Sequence, residues 1–152
     1  MNNLTITPKF GDFLLKNGQY ASQNVSADQV KGIYLTDGIS LVDFSSNKKM
    51  YRKADNWCLE HGGYIASAKI LFFIFFNLDE INRRRGIIGQ KPLPQDLLAW
   101  STGRLQGSGY TAYNYAVNFK NATIHTLISQ SMLIDDCGIA CPVCVVGGTA
   151  QP

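Results

Sequence analysis

Four cysteines constrain this chain more than any other feature. Cys58 stands alone in a helix-like segment, while Cys137, Cys141 and Cys144 crowd the last strand-like stretch. A lone cysteine on an early helix, bonded to one near the C-terminus, closes most of a small domain into a covalent ring. Such a ring contributes on the order of 4 kcal/mol by restricting the unfolded chain. The pattern suits an oxidising, extracellular setting better than a cytosolic enzyme. Four cysteines allow three connectivities. Cys137 and Cys141 are four residues apart, which brings their Cα atoms near bonding range if the segment is helical or tightly turned.

Other cysteine chemistries find less support. Cys137-Gly-Ile-Ala-Cys141-Pro-Val-Cys144 spells the C-x3-C-x2-C iron–sulfur pattern, but the barrel of such enzymes would have to follow it, and eight residues remain. Cys141-Pro-Val-Cys144 as a redox pair lacks a following helix to lower the thiol pKa. A zinc site that uses Cys58 as a fourth ligand is chemically sensible. It stands as the alternative, an intracellular domain with a structural or regulatory role.

The bounds fit one domain. The chain has 152 residues, of which 45% are apolar and 16% charged, enough to build a core. The net charge of +3 is mild, and Arg83-Arg84-Arg85 reads as a solvated helix end, so no nucleic-acid partner is implied. The longest apolar run, Ile70 to Phe76, falls far short of the roughly 20 residues that cross a bilayer. Met1-Asn2-Asn3 is too polar to open a signal peptide, so a secreted protein would be longer than this chain.

Periodicity gives the elements. Leu4 to Thr7 alternates as a strand, and Phe13-Leu14-Leu15 precedes a turn at Lys16-Asn17-Gly18. Two β-prone runs flank Asp37-Gly38, the signature of a tight hairpin. From Lys49 to His61, Met50, Ala54, Trp57, Cys58 and His61 share one helical face, with Gly62 as C-cap. Ser67 to Arg85 reads as one buried helix of about five turns, capped by Ser67 and stopped by Gly86; a buried strand followed by a short helix is the alternative. Short strands follow around Leu98–Ser101, Tyr113–Phe119, Thr123–Leu127 and Val143–Val146.

This order resembles the C-type-lectin-like fold, and within it the C-terminal domain of the bacterial intimin and invasin adhesins. The matching residues are Ala54-Asp55-Asn56-Trp57-Cys58 with Gly62-Gly63, then Ala99-Trp100, Tyr113 to Val117, and Val143-Cys144-Val145. The resemblance implies an α+β domain over residues 31–146, two helices packed on short antiparallel strands and closed by a Cys58–Cys144 disulfide. Cys137 and Cys141 depart from the family pattern, and their four-residue spacing makes Cys137–Cys141 the expected second bond. Residues 1–30 would be a leading strand segment or the end of a preceding domain, and 147–152 a flexible tail. It also implies a non-catalytic receptor-binding module on a bacterial surface or secreted protein, joined to a membrane only through the rest of a longer chain.

The residue types agree with a binding role. His61 and His125 lie in no catalytic motif, and Glu60 and Glu80 are the only glutamates. The calcium-holding triplets of sugar-binding lectins are missing, and Asp135-Asp136 reads as a solvated turn. No cofactor and no metal is therefore expected, and the resemblance implies a host-cell surface protein or glycan as partner, the protein being favoured. The expected contact surface is the glycine-rich Ser101–Tyr115 segment with Trp100 at its base. Arg104, Tyr110 and Tyr113 are residue types that dominate binding energy.

Overall fold

Asp37 and Gly38 turn the chain back on itself with φ of 55° and 79°, the paired left-handed conformation that a two-residue hairpin requires. The computed structural model describes residues 4–106, 112–130 and 138–148. In chain order its elements are β1 (Leu4–Thr5), β2 (Phe13–Leu15), β3 (Tyr20–Ala21), β4 (Val30–Thr36), β5 (Ile39–Phe44), α1 (Tyr51–Glu60) and β6 (Tyr64–Ile65). There follow α2 (Ala68–Phe76), α3 (Leu78–Ile87), β7 (Leu98–Gln106), β8 (Ala112–Asn118), β9 (Thr123–Gln130) and β10 (Val143–Gly147). The strands form two antiparallel sheets, one ordered β1-β3-β2-β4-β5-β10-β6 and the other β7-β8-β9.

Period-two alternation lets single strands serve two cores at once. Val143 and Val145 of β10 face a large core with Leu41, Ile70, Ile74 and Val117. Cys144 between them points the other way, to a smaller core with Ala54 and Cys58 of α1. Ala99 and Trp100 of β7, and Val117 and Ala116 of β8, divide likewise between the two. A third cluster joins Phe13, Leu15, Ala21, Val30 and Ile33 to Ile88 beyond α3.

The architecture corrects the expected one. Among the described residues there are ten strands and three helices, where two helices on short strands closed by a disulfide were expected. Residues 4–21 supply three strands to the large sheet through β2–β4 pairing. The long second helix is broken at Asn77, whose φ of −121° and ψ of 24° leave the helical region. Its side-chain amide donates to the Phe73 carbonyl at 2.8 Å, a local bond that competes with helix continuation. Ser67 caps α2 as expected, accepting from the Ile70 amide at 3.3 Å.

Cys58, Cys141 and Cys144 are free buried thiols, which removes the covalent ring; Cys137 lies outside the described residues. Arg85 also departs from expectation. It is buried at 2% exposure, donating to the Lys91 carbonyl at 2.7 Å and lying over the Phe44 ring. Among the described residues no helix is long and apolar enough to cross a membrane.

Arg83 stays exposed on α3 while Arg84 is half-buried over the Phe13 ring and donates to the Ser22 carbonyl, and both donate to Glu80. The Arg83 hydrogen bond is the main cause that holds the Glu80 carboxyl down at about 2, below its ordinary 4.5. A depressed acid stabilises the fold above the unfolded value and loses that contribution as pH falls from about 4.5 toward 2. Glu80 is 38% exposed, so solvent screening limits the effect. Glu80→Gln is expected to cost less than about 1 kcal/mol near neutrality and to flatten stability against pH in that acid window. Urea midpoints at pH 7 and pH 3 check it, and an unchanged acid limb would contradict it.

Candidate functional site

Helix α1 carries two adjacent stripes. Ala54 and Cys58 face inward and are fully buried. Tyr51, Asp55 and Leu59, at four-residue spacing, line the wall of an open cleft of about 640 Å³. Tyr64 and Ile65 of β6, Ser67 and Ile70 at the start of α2, Thr102 of β7 and Val145 and Val146 of β10 complete the lining, with Gly62 and Gly63 at one end. The volume lies in the range of small-ligand and side-chain pockets.

The glycines make this cleft possible. Gly62, at φ of 79°, ends α1 in the left-handed conformation that its sequence position predicts. Gly63 then passes so close to β10 that a β-carbon there would stand 2.4 Å from the Val145 carbonyl oxygen and 2.6 Å from the Cys144 sulfur. The backbone reverses directly against β10, and β6 pairs with it at Cys144 and Val145. Tyr64 spans the turn, its hydroxyl donating to the Gly147 carbonyl. Burial, with the Cys144 sulfur next, pushes the Tyr64 phenol upward, so it stays protonated and a donor.

Most of the lining is apolar, and among the described residues Asp55 is its one charged residue. Among the described residues its carboxylate has no ion-pair or hydrogen-bond partner. Leu59 is 61% exposed at the rim, an apolar side chain left without cover. This wall can bind; among the described residues it brings no second carboxylate, histidine or thiol beside Asp55 for proton transfer or attack.

Behind the wall, Cys144 directs its thiol at the Cys58 carbonyl oxygen, 3.5 Å away. The hydrogen bond to Cys144, followed by burial, pushes the Cys58 thiol up, and burial does the same for Cys141 against the pull of Lys48 and Lys49. A thiol held protonated and out of solvent is a poor nucleophile. Because Cys58 and Cys144 are both 0% exposed, native-state iodoacetamide labelling is expected to leave them unmodified, and denaturation to release them. Peptide mass spectrometry reads this, and rapid labelling of either in the folded chain would contradict it.

The residues expected from sequence to form the contact surface are dispersed. Trp100 is fully buried, with its indole nitrogen donating to the Lys49 carbonyl at 2.8 Å and Tyr51 packed edge-on at 5.5 Å. It builds the core under the cleft and presents nothing outward. Arg104 is a β7 strand residue paired with Asn114, and Tyr113 is a half-buried β8 residue paired with Leu105 and Ile128. The expected loop is thus largely strand. A bulge with Gly103 at φ of 103° lets β7 run on past Trp100, and Asn114 bonds the Gly103 carbonyl at 2.9 Å. Tyr110 lies outside the described residues.

Neither histidine joins the cleft. His61 stacks on Trp57 at 3.8 Å and donates from Nδ1 to the Trp57 carbonyl at 2.7 Å. His125 pairs with the Thr123 hydroxyl on exposed β9. Among the described residues no three His, Cys, Asp or Glu side chains converge as a metal site; Cys137, Asp135 and Asp136 lie outside them. The cleft residues were missed because the sequence reading followed the apolar face of α1. The signal available was the second stripe, Tyr51-Asp55-Leu59, which an entirely solvent-facing helix side has no need to make half apolar.

Comparison of the chain with family models, curated proteins and solved structures finds no match.

Proposed function

We propose that this chain is a non-catalytic binding module that receives part of a partner protein in the cleft between α1, β6 and β10. The observation that carries this is the cleft wall itself: an apolar surface with exposed Leu59 at its rim, built against a fully packed core. Apolar groups kept at the edge of a concave surface gain free energy when a partner covers them, about 25 cal/mol for each Å² removed from water. A protein side chain suits such a wall better than a glycan, whose hydroxyls need a denser array of polar partners than Asp55, Ser67, Thr102 and the tyrosines supply.

The intimin- and invasin-like motif around Trp57-Cys58 and Gly62-Gly63 extends the proposal to a setting. The partner is then a host-cell surface protein, and the chain is the receptor-binding part of a bacterial surface or secreted adhesin. Immobilised chain is expected to retain mammalian cells, soluble chain to compete, and trypsin treatment of the cells to abolish retention. Failure of the chain to retain any cells would overturn the receptor setting. Retention that survives trypsin would overturn the protein class of the partner.

A further inference from the structure

We infer that the group seated in the cleft is a lysine or arginine side chain of the partner protein, its aliphatic stem along the apolar wall and its charged head at Asp55. This rests on the reading of the cleft as the binding site and adds what the site selects.

Charge complementarity carries the inference. Among the described residues Asp55 is the one charged group in a mainly apolar lining, and its carboxylate has no ion-pair or hydrogen-bond partner there. It sits mid-helix on α1, one turn from Tyr51 on one side and from Leu59 on the other, so both neighbours on its stripe offer carbon surface. A carboxylate in such a place accepts hydrogen bonds and repels anions, and covering it with a neutral apolar group would strip its water without replacement. A long cationic side chain satisfies both parts of the wall, because lysine and arginine carry an apolar stem behind the charged head. The Lys31 ammonium approaches Gly62 at the far end, 3.9 Å from where a β-carbon would stand. Gly62 lies seven residues beyond Asp55, past the end of α1, and among the described residues no ion pair joins Lys31 to the carboxylate.

The competing candidates carry less. The hollow lined by Phe75, Phe76, Leu78 and Phe119 carries Asp79 and Glu80 together with Lys120, charges of both signs, and Glu80 is already paired with Arg83 and Arg84. Lys48, Lys49, Arg52 and Lys53 lie close together in sequence at the start of α1, and Lys53 is already engaged.

The test uses two probes of equal length and opposite charge, hexylammonium and hexanoate, titrated into the full chain while the methyl NMR signals of Leu59, Ile65, Ile70, Val145 and Val146 are followed. Hexylammonium is expected to shift these signals with an affinity roughly fivefold or more above that of hexanoate. Asp55→Asn is expected to erase the difference while leaving the unliganded spectrum otherwise intact. Equal binding of the two probes, or a preference that Asp55→Asn does not change, would overturn the cationic ligand and leave the cleft standing. Absence of any shift with either probe up to tens of millimolar would overturn the cleft as a binding site and this inference with it.

Discussion

Gly63→Val is expected to lower stability by about 3 kcal/mol or more, and to leave the chain at the edge of folding. Both atoms that a side chain would meet are fixed in place. The Val145 carbonyl belongs to a β10 strand paired with β5 on one side and β6 on the other, and the Cys144 sulfur is enclosed with Cys58 in the smaller core. Gly63 cannot retreat, because its own amide donates to the Cys58 carbonyl at 3.0 Å. The loss should appear as a large fall in the urea midpoint, with cleft signals perturbed first. A Gly63→Val chain as stable as wild type would mean that α1 does not approach β10 as described.

Trp100→Ala is expected to cost about 4 kcal/mol. The indole is the largest fully buried side chain, and it stands where α1, β7 and β8 meet. Truncation empties that junction and removes the donor to the Lys49 carbonyl, on the segment that leads into α1. Trp100→Phe separates the two effects, since it keeps most of the packing and loses only the hydrogen bond, at about 1–2 kcal/mol. Calorimetric or urea unfolding of the pair measures this. Equal losses in the two variants would show that packing contributes little. Near-wild-type stability of Trp100→Ala would return Trp100 to the surface role that its sequence context suggested.

Local order was legible where residues act through their own backbone. Asp37-Gly38 marks its hairpin and Gly62 its helix end because positive φ favours few residue types, and Ser67 marks its cap by the oxygen it offers. The break at Asn77 was not legible in a run flanked by a Ser67 cap and a Gly86 stop, which reads as one long helix; the side-chain bond to Phe73 that helps to end α2 is visible only in three dimensions. The strand at Tyr20-Ala21 is two residues long and exists through pairing with Phe13-Leu14 and Leu4-Thr5, which no local pattern announces.

The cysteines show the same limit. Sequence brings Cys58 and Cys144 into one argument, and the fold brings them into one core, yet as free thiols with a sulfur–carbonyl contact where a bond was expected. The site was the least legible part. Arg104 and Tyr113 have the residue types of a binding surface, but strand pairing governs where they stand. Asp55 and Leu59 gain their meaning only when Gly62-Gly63 turns the chain to make the cleft beside them.

The central claim is that binding occurs at the α1–β6–β10 cleft. Cell adhesion by wild-type chain, Leu59→Lys and Phe76→Lys tests it most directly. Leu59 and Phe76 are comparably uncovered, at 61% and 73% exposure, so a charge at either should spare the fold, but only Leu59 lines the cleft. Leu59→Lys removes apolar rim and repels a cationic side chain, and is expected to weaken adhesion by about tenfold or more, and Phe76→Lys to leave it within about twofold of wild type. Adhesion lost with Phe76→Lys and kept with Leu59→Lys would contradict the account.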